Sequence, residues 1–382
     1  GSHTCFHIFT GPMNHATEAQ QFPFCCHPSI SRYTFPVQHI PLTWVESEAI
    51  CRAYASYWER KTLTETEETI LRDLEVRIDQ IIRERDGKAF LKISGQSAKD
   101  VALFRSNKYM QKAFAQKLFY VHPTDHNKQL IAFLEAVNIA MCITSGSQAM
   151  EYITRSHRII KEIHKFVRSQ LNDHFQVSQS VSANCNEDKE DNGNFGDLQI
   201  VLRDFVSLRV DQEFRCFVKD KCLVAVSQYE SGAYFEQLQG SEAEETKFVI
   251  KEFFNNVAPL IYENNFIMDV VIIDGSVNIV EMHSWSEDNS ACLFDWKLDK
   301  NELQVPNGKA TQFRFRTSAL DEPLDAIPSR KWKEFIKEYY NRRKFMGLRI
   351  RPIILQYTAI LGLPLAAVAL WFLRVHCKHF LW

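Results

Sequence analysis

Three residues on one short stretch have the types and spacing to hold a cation: Asp269, Glu281 and His283. They lie in FIMDVVII, Asp274-Gly275 and SVNIVEMHS, where two β-branched runs flank an Asp-Gly dipeptide. That pattern is a strong local signal for a β-hairpin. Strand alternation puts Glu281 and His283 on one face. Folding at Asp274-Gly275 brings Asp269 toward them from the first strand. Two carboxylates and an imidazole on one hairpin face can take a divalent cation. A cation on antiparallel strands is one way to hold the phosphates of a nucleotide. The same residues also fit an edge hairpin whose acids face water. Both readings stand on the residues alone.

Other chemistries find less support. The ten cysteines include no Cys-x-x-Cys pair, which argues against a zinc site or a dithiol redox motif. No serine triad, Cys-His nucleophile, Walker loop or dinucleotide fingerprint is present. A net charge of −2 argues against a nucleic-acid binder, so no direct nucleic-acid contact is expected. Scattered cysteines and the lack of Asn-x-Ser/Thr sequons fit a reducing, cytoplasmic setting.

The elements that position these residues are partly legible. A chain of 382 residues with 45% hydrophobic content can build two or more cores. Residues 62–84 read as an amphipathic helix, with Thr64 and Glu67 at capping-box spacing. Ala89–Ile93 reads as a strand. Residues 107–141 read as helical with an irregular centre near His122–Asn127, and a further helix carries Ile159, Ile160, Ile163, Phe166 and Val167. Beyond the polar stretch 177–197, Leu198–Arg203 reads as a strand, and Glu213–Val218 and Leu223–Gln228 as a hairpin. Lys247–Glu263 reads as a helix, and the acidic hairpin follows. Residues 1–40 show no clear period.

The C-terminal part reads differently. Ile353–Leu373 carries no formal charge, and roughly 20 apolar residues cross a bilayer. Arg342, Arg343, Lys344, Arg349 and Arg351 precede it, so the positive-inside bias places the body in the cytosol. This predicts a tail-anchored protein on an intracellular membrane; a buried C-terminal helix is the alternative. The basic helix around Lys331–Lys344 either touches anionic headgroups or presents a solvated face. The expected division is an irregular N-terminal segment (1–21), an N-terminal α/β lobe with helical insertions (22–176) and a polar flexible loop (177–197). A C-terminal lobe (198–328), a basic helix (329–352), a membrane helix (353–373) and a short tail (374–382) follow.

Several ordered blocks together resemble the cell division cycle protein 123 family, a branch of the ATP-grasp fold, from about Phe22 to Lys344. They are FLKISGQSAKDVALF, CITSGSQAMEYITRSHRII, IVLRDFVSLRVDQEFRCFVKDKCLVAVSQY, MDVVIIDGSVNIVEMHSWSE and LFDW. The resemblance implies an α+β, ATP-grasp-like two-lobed body with mainly antiparallel sheets. To this the hydropathy reading adds one C-terminal transmembrane helix. The resemblance also implies ATP and Mg as cofactors. Lys92, Lys99, Arg203, Arg215 and Gln228 would bind nucleotide, and Asp269, Glu281 and His283 the metal. Read as residues alone, Lys92 is also a surface lysine at a strand end, and Arg215 also an ion-pair partner of Glu213 or another acid.

The resemblance implies a role in assembly of eukaryotic translation initiation factor 2 through binding its gamma subunit, and with it an expected link to protein biosynthesis and the cell cycle. Among the sequence's departures from the family's pattern, two fall at the expected site; the others are the helical segment around 62–84 in place of an acidic one, and the membrane tail. The family's Asp-Phe-Asn-Pro is here Glu281-Met282-His283-Ser284, and imidazole prefers zinc, nickel or copper over magnesium. Its Ser-Gln-Arg-Asp is here Ser227-Gln228-Tyr229-Glu230, one arginine fewer. Three functions follow as expectations: an ATP-binding assembly chaperone, a diverged scaffold without nucleotide turnover, and a membrane-tethered ATP-dependent carboxylate-amine ligase.

Overall fold

Two five-stranded sheets organise the chain. A computed structural model describes residues 29–180, 198–304 and 310–344. The elements run β1 (Val37–Pro41), α1 (Trp44–Glu59), α2 (Glu65–Glu84), β2 (Ala89–Ile93), β3 (Gln96–Ser97), α3 (Lys99–Ala102) and α4 (Lys108–Leu118). Next come α5 (His126–Ala140), β4 (Cys142–Ile143), α6 (Gly146–Arg155), α7 (His157–Ser180), β5 (Gln199–Asp204), β6 (Glu213–Lys219) and β7 (Cys222–Gln228). The series closes with α8 (Ser241–Val257), β8 (Phe266–Ile273), β9 (Ser276–Ser284), α9 (Lys300–Gln304) and β10 (Gln312–Arg314), then a helix α10 over 330–344.

The first sheet has the order β1-β5-β2-β3, with β4 also on β2, all antiparallel. The second has the order β10-β7-β6-β8-β9, antiparallel except for the β10–β7 pair. This is a mixed α+β architecture dominated by antiparallel pairing. The helix starts follow their chemistry: Thr43 with Glu46 and Thr64 with Glu67 each form a complete capping box on α1 and α2. One continuous core spans the molecule, from Leu74 and Ile78 on α2 to Phe254 on α8 and Met268 on β8.

Three sequence expectations are corrected here. Leu198–Arg203 was expected to open the C-terminal lobe. The strand instead lies between β1 and β2 in the first sheet, because Ile200 and Leu202 bury fully there and pair with the Ala89–Ile93 ladder. The polar stretch expected from 177 begins as the last turn of α7, which reaches Ser180. The helix expected over Lys247–Glu263 starts earlier, at Ser241, where Glu242 and Glu244 suit a helix N-terminus, and ends at Val257, two residues before Pro259. The basic helix at 330–344 does present a solvated basic face, with Lys331, Lys337 and Arg342 exposed, while its other side is buried. Trp332 is fully buried, donates Nε1–H to the Leu103 carbonyl at 2.8 Å, and meets Phe114 and Phe133 edge-on. Strand β1 lies in a region where no period was evident.

Among the described residues no helix is long and apolar enough to cross a membrane. The expected membrane helix (353–373), the segment 1–21 and the tail 374–382 lie outside the described residues.

Candidate functional site

A single cross-strand row of polar side chains runs the width of the second sheet. Arg314 on β10 stands opposite Ser227 on β7; Ser227 opposite Arg215 on β6; Arg215 opposite Asp269 on β8; and Asp269 opposite Glu281 on β9. The Asp274-Gly275 turn alone would not give this alignment. The β8–β9 ladder shifts register between Asp269 and Val270, and this irregularity brings Glu281 opposite Asp269. The turn itself uses left-handed backbone at both residues, φ 48° at Asp274 and 78° at Gly275, as a tight hairpin requires.

The next row on the same face is apolar. Phe217, Ala225 and Ile267 pack with Ala291, Phe294 and Leu303 in a second, smaller core. Residues 285–304 therefore strap across this face. The strap is tied to the polar row: the Arg215 guanidinium donates to the Ser290 carbonyl at 2.7 Å, and Leu293 N–H donates to Ser227 Oγ at 3.0 Å. Arg314 clamps its far end, donating to Asp299 at 2.6 and 2.7 Å and to Glu302 at 2.9 Å.

Arg215 and Asp269 form the centre. Two parallel hydrogen bonds of 2.7 Å join guanidinium to carboxylate, and both side chains are buried. Burial alone would raise the Asp269 carboxyl, but the Arg215 charge and hydrogen bonds outweigh it and hold the acid well below the usual carboxylate range. Arg215 is correspondingly held above its ordinary value despite its burial. The Tyr229 ring lies 5.2 Å from the guanidinium carbon. Arg215 therefore pairs with Asp269, the other acid that the sequence reading left open, rather than with Glu213.

Two lysines of the first sheet's half reach across to acids of the second. Lys92 on β2 donates to Glu281 Oε1 at 2.5 Å, and Lys99 on α3 lies 4.0 Å from Glu230. Burial pushes Glu281 up, but the Lys92 charge and His283 bring it net below its ordinary value. Glu213 behaves oppositely. Burial first, then the charges of Asp269 and Glu230, raise it to about 8, against smaller opposing effects of Lys99 and Arg215.

Asp269, Glu281 and His283 do come together: one ligand atom from each lies within 4.8 Å of the others. His283 Nε2 stands 3.1 Å from Asp269 Oδ2 and 3.9 Å from Glu281 Oε2. Atoms bound to one divalent ion at about 2.1–2.4 Å sit up to about twice that apart, so the three donors fit one ion with a small contraction. Two carboxylates suit magnesium or manganese, while the imidazole favours zinc and its neighbours.

The remaining expected residues divide. Arg203 faces the second sheet, donating to the Val280 carbonyl at 2.8 Å, with its guanidinium over Phe35 and Phe90 at 5.0 and 4.8 Å. Those rings help line a small depression with Met141 and the 204–208 loop. Gln228 spends its side-chain hydrogen bonds within the protein. It is buried, its amide donates to the Glu230 and Ala233 carbonyls, and its oxygen accepts from Arg316 N–H. Tyr229 and Glu230 had registered only as departures from a pattern, yet both stand at the site.

The chain is similar to known proteins in sequence and in fold. The D123 family model matches residues 164–331. A translation initiation factor eIF2 assembly protein of Candida albicans is 29% identical over 112 residues, 28% of this chain and 32% of that protein. The Danio rerio protein of the same name is 26% identical over 151 residues, 36% and 43% of the two chains. The chain thus spans about a third to two-fifths of the length of these curated relatives. Among solved structures, Cdc123 from Schizosaccharomyces pombe matches with TM-score 0.50 at 16% identity, over 78% of this chain and 95% of that one. That likeness is one of fold.

Proposed function

We propose that this chain, which belongs to the D123 family, is an assembly factor for translation initiation factor 2 that binds ATP and a divalent cation between its two sheets. The reading includes the finer expectation that the gamma subunit is the partner. The relatives' own name, translation initiation factor eIF2 assembly protein, supports the role. The observation that carries the nucleotide part is the Arg215–Asp269–Glu281 row facing Lys92 of the other sheet.

In this ATP-grasp-like arrangement Lys92 and Lys99 approach the phosphates from the first sheet, as compact cations on flexible stems. Arg215 holds Asp269 ionised and fixed in direction. Asp269, Glu281 and His283 hold the cation, which when bound neutralises phosphate oxygens. Nucleotide would replace both lysine–glutamate contacts between the halves, and so bias how the halves sit and what partner surface they form.

The partner is tested by capture. The full chain is immobilised and offered the alpha, beta and gamma subunits separately, with and without ATP and magnesium. Retention of gamma, increased by ATP, is expected; retention of another subunit alone, or of none, counts against the reading. The uncharged run Ile353–Leu373 supports attachment to a membrane. Retention in the membrane pellet after alkaline carbonate extraction is the expected result, and release to the supernatant opposes it.

A further inference from the structure

One carboxylate is claimed twice. Glu281 belongs to the Asp269–Glu281–His283 group, and its Oε1 is also the acceptor for Lys92 at 2.5 Å. The local charges balance without any ligand. Arg215 offsets Asp269, Lys92 offsets Glu281, and Lys99 faces Glu230 at 4.0 Å. Lys92 and Glu281 are largely shielded from water, with 16% and 30% of their side chains exposed, so salt screens the pair weakly.

A bare divalent cation entering here adds two positive charges beside Arg215 and Lys92, and half of its carboxylate charge is already neutralised by a lysine. A metal–nucleoside triphosphate complex differs in sign. It arrives with net negative charge, and its phosphates give the Lys92 ammonium a new anionic partner, which releases Glu281 to the metal.

We propose that the Lys92–Glu281 ion pair is a latch that makes cation binding conditional on a nucleotide. Resting on the cation site described above, it assigns Lys92 two exclusive partners: Glu281 in the ligand-free protein, phosphate in the loaded one. The consequence runs against the usual effect of removing a binding residue. Loss of Lys92 weakens nucleotide binding but strengthens binding of metal alone, because Glu281 is freed and one repelling charge is gone.

Equilibrium dialysis of radiolabelled Mn²⁺ against the full chain reads this directly. Four proteins are compared without nucleotide: wild type, Lys92→Ala, Lys92→Gln and the double variant Lys92→Ala/Glu281→Gln. Wild type is also measured with ATP. Circular dichroism checks that each is folded, and two single variants guard against the failure of one. Both single variants should bind Mn²⁺ at least about tenfold more tightly than wild type. The double variant should lose that gain, and ATP should let wild type retain the metal. Folded single variants with no gain, while wild type with ATP retains Mn²⁺, overturn the latch and leave the cation site standing. Mn²⁺ bound by wild type alone as tightly as by the variants overturns it equally. No retained metal in any arm removes both the latch and the cation site beneath it.

Discussion

Arg215 and Asp269 face each other in register on β6 and β8, joined by two hydrogen bonds of 2.7 Å, with 6% and 2% of their side chains exposed. The pair is the fixed point to which the other charges of the site refer. Removing one member leaves a buried, uncompensated charge, which costs about 3–5 kcal/mol. Asp269→Ala should therefore lower the urea midpoint strongly. Replacing both residues by apolar ones of similar volume should cost much less than the single change. Equal losses in the two variants would contradict the account.

Stability should depend on pH in two opposite ways. Asp269 is held below its ordinary value in the folded chain, so its contribution is complete above about pH 4 and is lost as pH falls toward the folded value. Glu213 is raised from 4.5 to about 8. Between those values the folded chain keeps a proton that the unfolded chain releases, so this group makes stability decline as pH rises through that window. Urea midpoints from pH 5 to 8.5 should fall in wild type and be flatter in Glu213→Gln. Parallel profiles would refute the assignment.

Gln228→Leu separates support from ligand contact. The substitution strands the Arg316 N–H and the Glu230 and Ala233 carbonyls, each costing about 1–3 kcal/mol where no water reaches them. Thermal denaturation should reveal that loss, and nucleotide affinity of the folded variant should change little. A folded variant with undiminished stability but abolished ATP binding would instead support the ligand role that the resemblance implied.

Trp332 ties α10 to the helical layer. Trp332→Ala should destabilise by about 3–5 kcal/mol, as expected for a fully buried indole that packs on Phe114 and Phe133 and donates to Leu103. Chemical denaturation checks it; a change under about 1 kcal/mol would mean that the helix is only loosely attached.

Much of this arrangement could be read in the residues because local signals were strong. Asp274-Gly275 between β-branched runs specified the hairpin, and Thr64 with Glu67 specified the start of α2. What stayed hidden depends on distant or irregular pairing. Unbroken alternation from the turn sets Asp269 opposite Val280; the register shift that brings it to Glu281 leaves no mark in composition. Arg215 has Glu213 two residues away on its own strand, and only the placement of β8 makes Asp269 the partner. β5 reads as the start of a new lobe because a polar stretch precedes it, yet its fully buried Ile200 and Leu202 complete the first sheet. Trp332 sits among lysines, and nothing local says that it closes a core more than two hundred positions away at Leu103.

The most direct test of the central claim is calorimetric titration of ATP into the full chain, with magnesium, with manganese and without metal, alongside Lys92→Ala and Glu281→Ala. The account predicts one ATP per chain, tighter with metal than without, and weakened at least about tenfold by either substitution, since each removes a charged contact to phosphate or cation. ATP binding that neither metal nor these residues affect would contradict it, as would no binding at all by the folded chain.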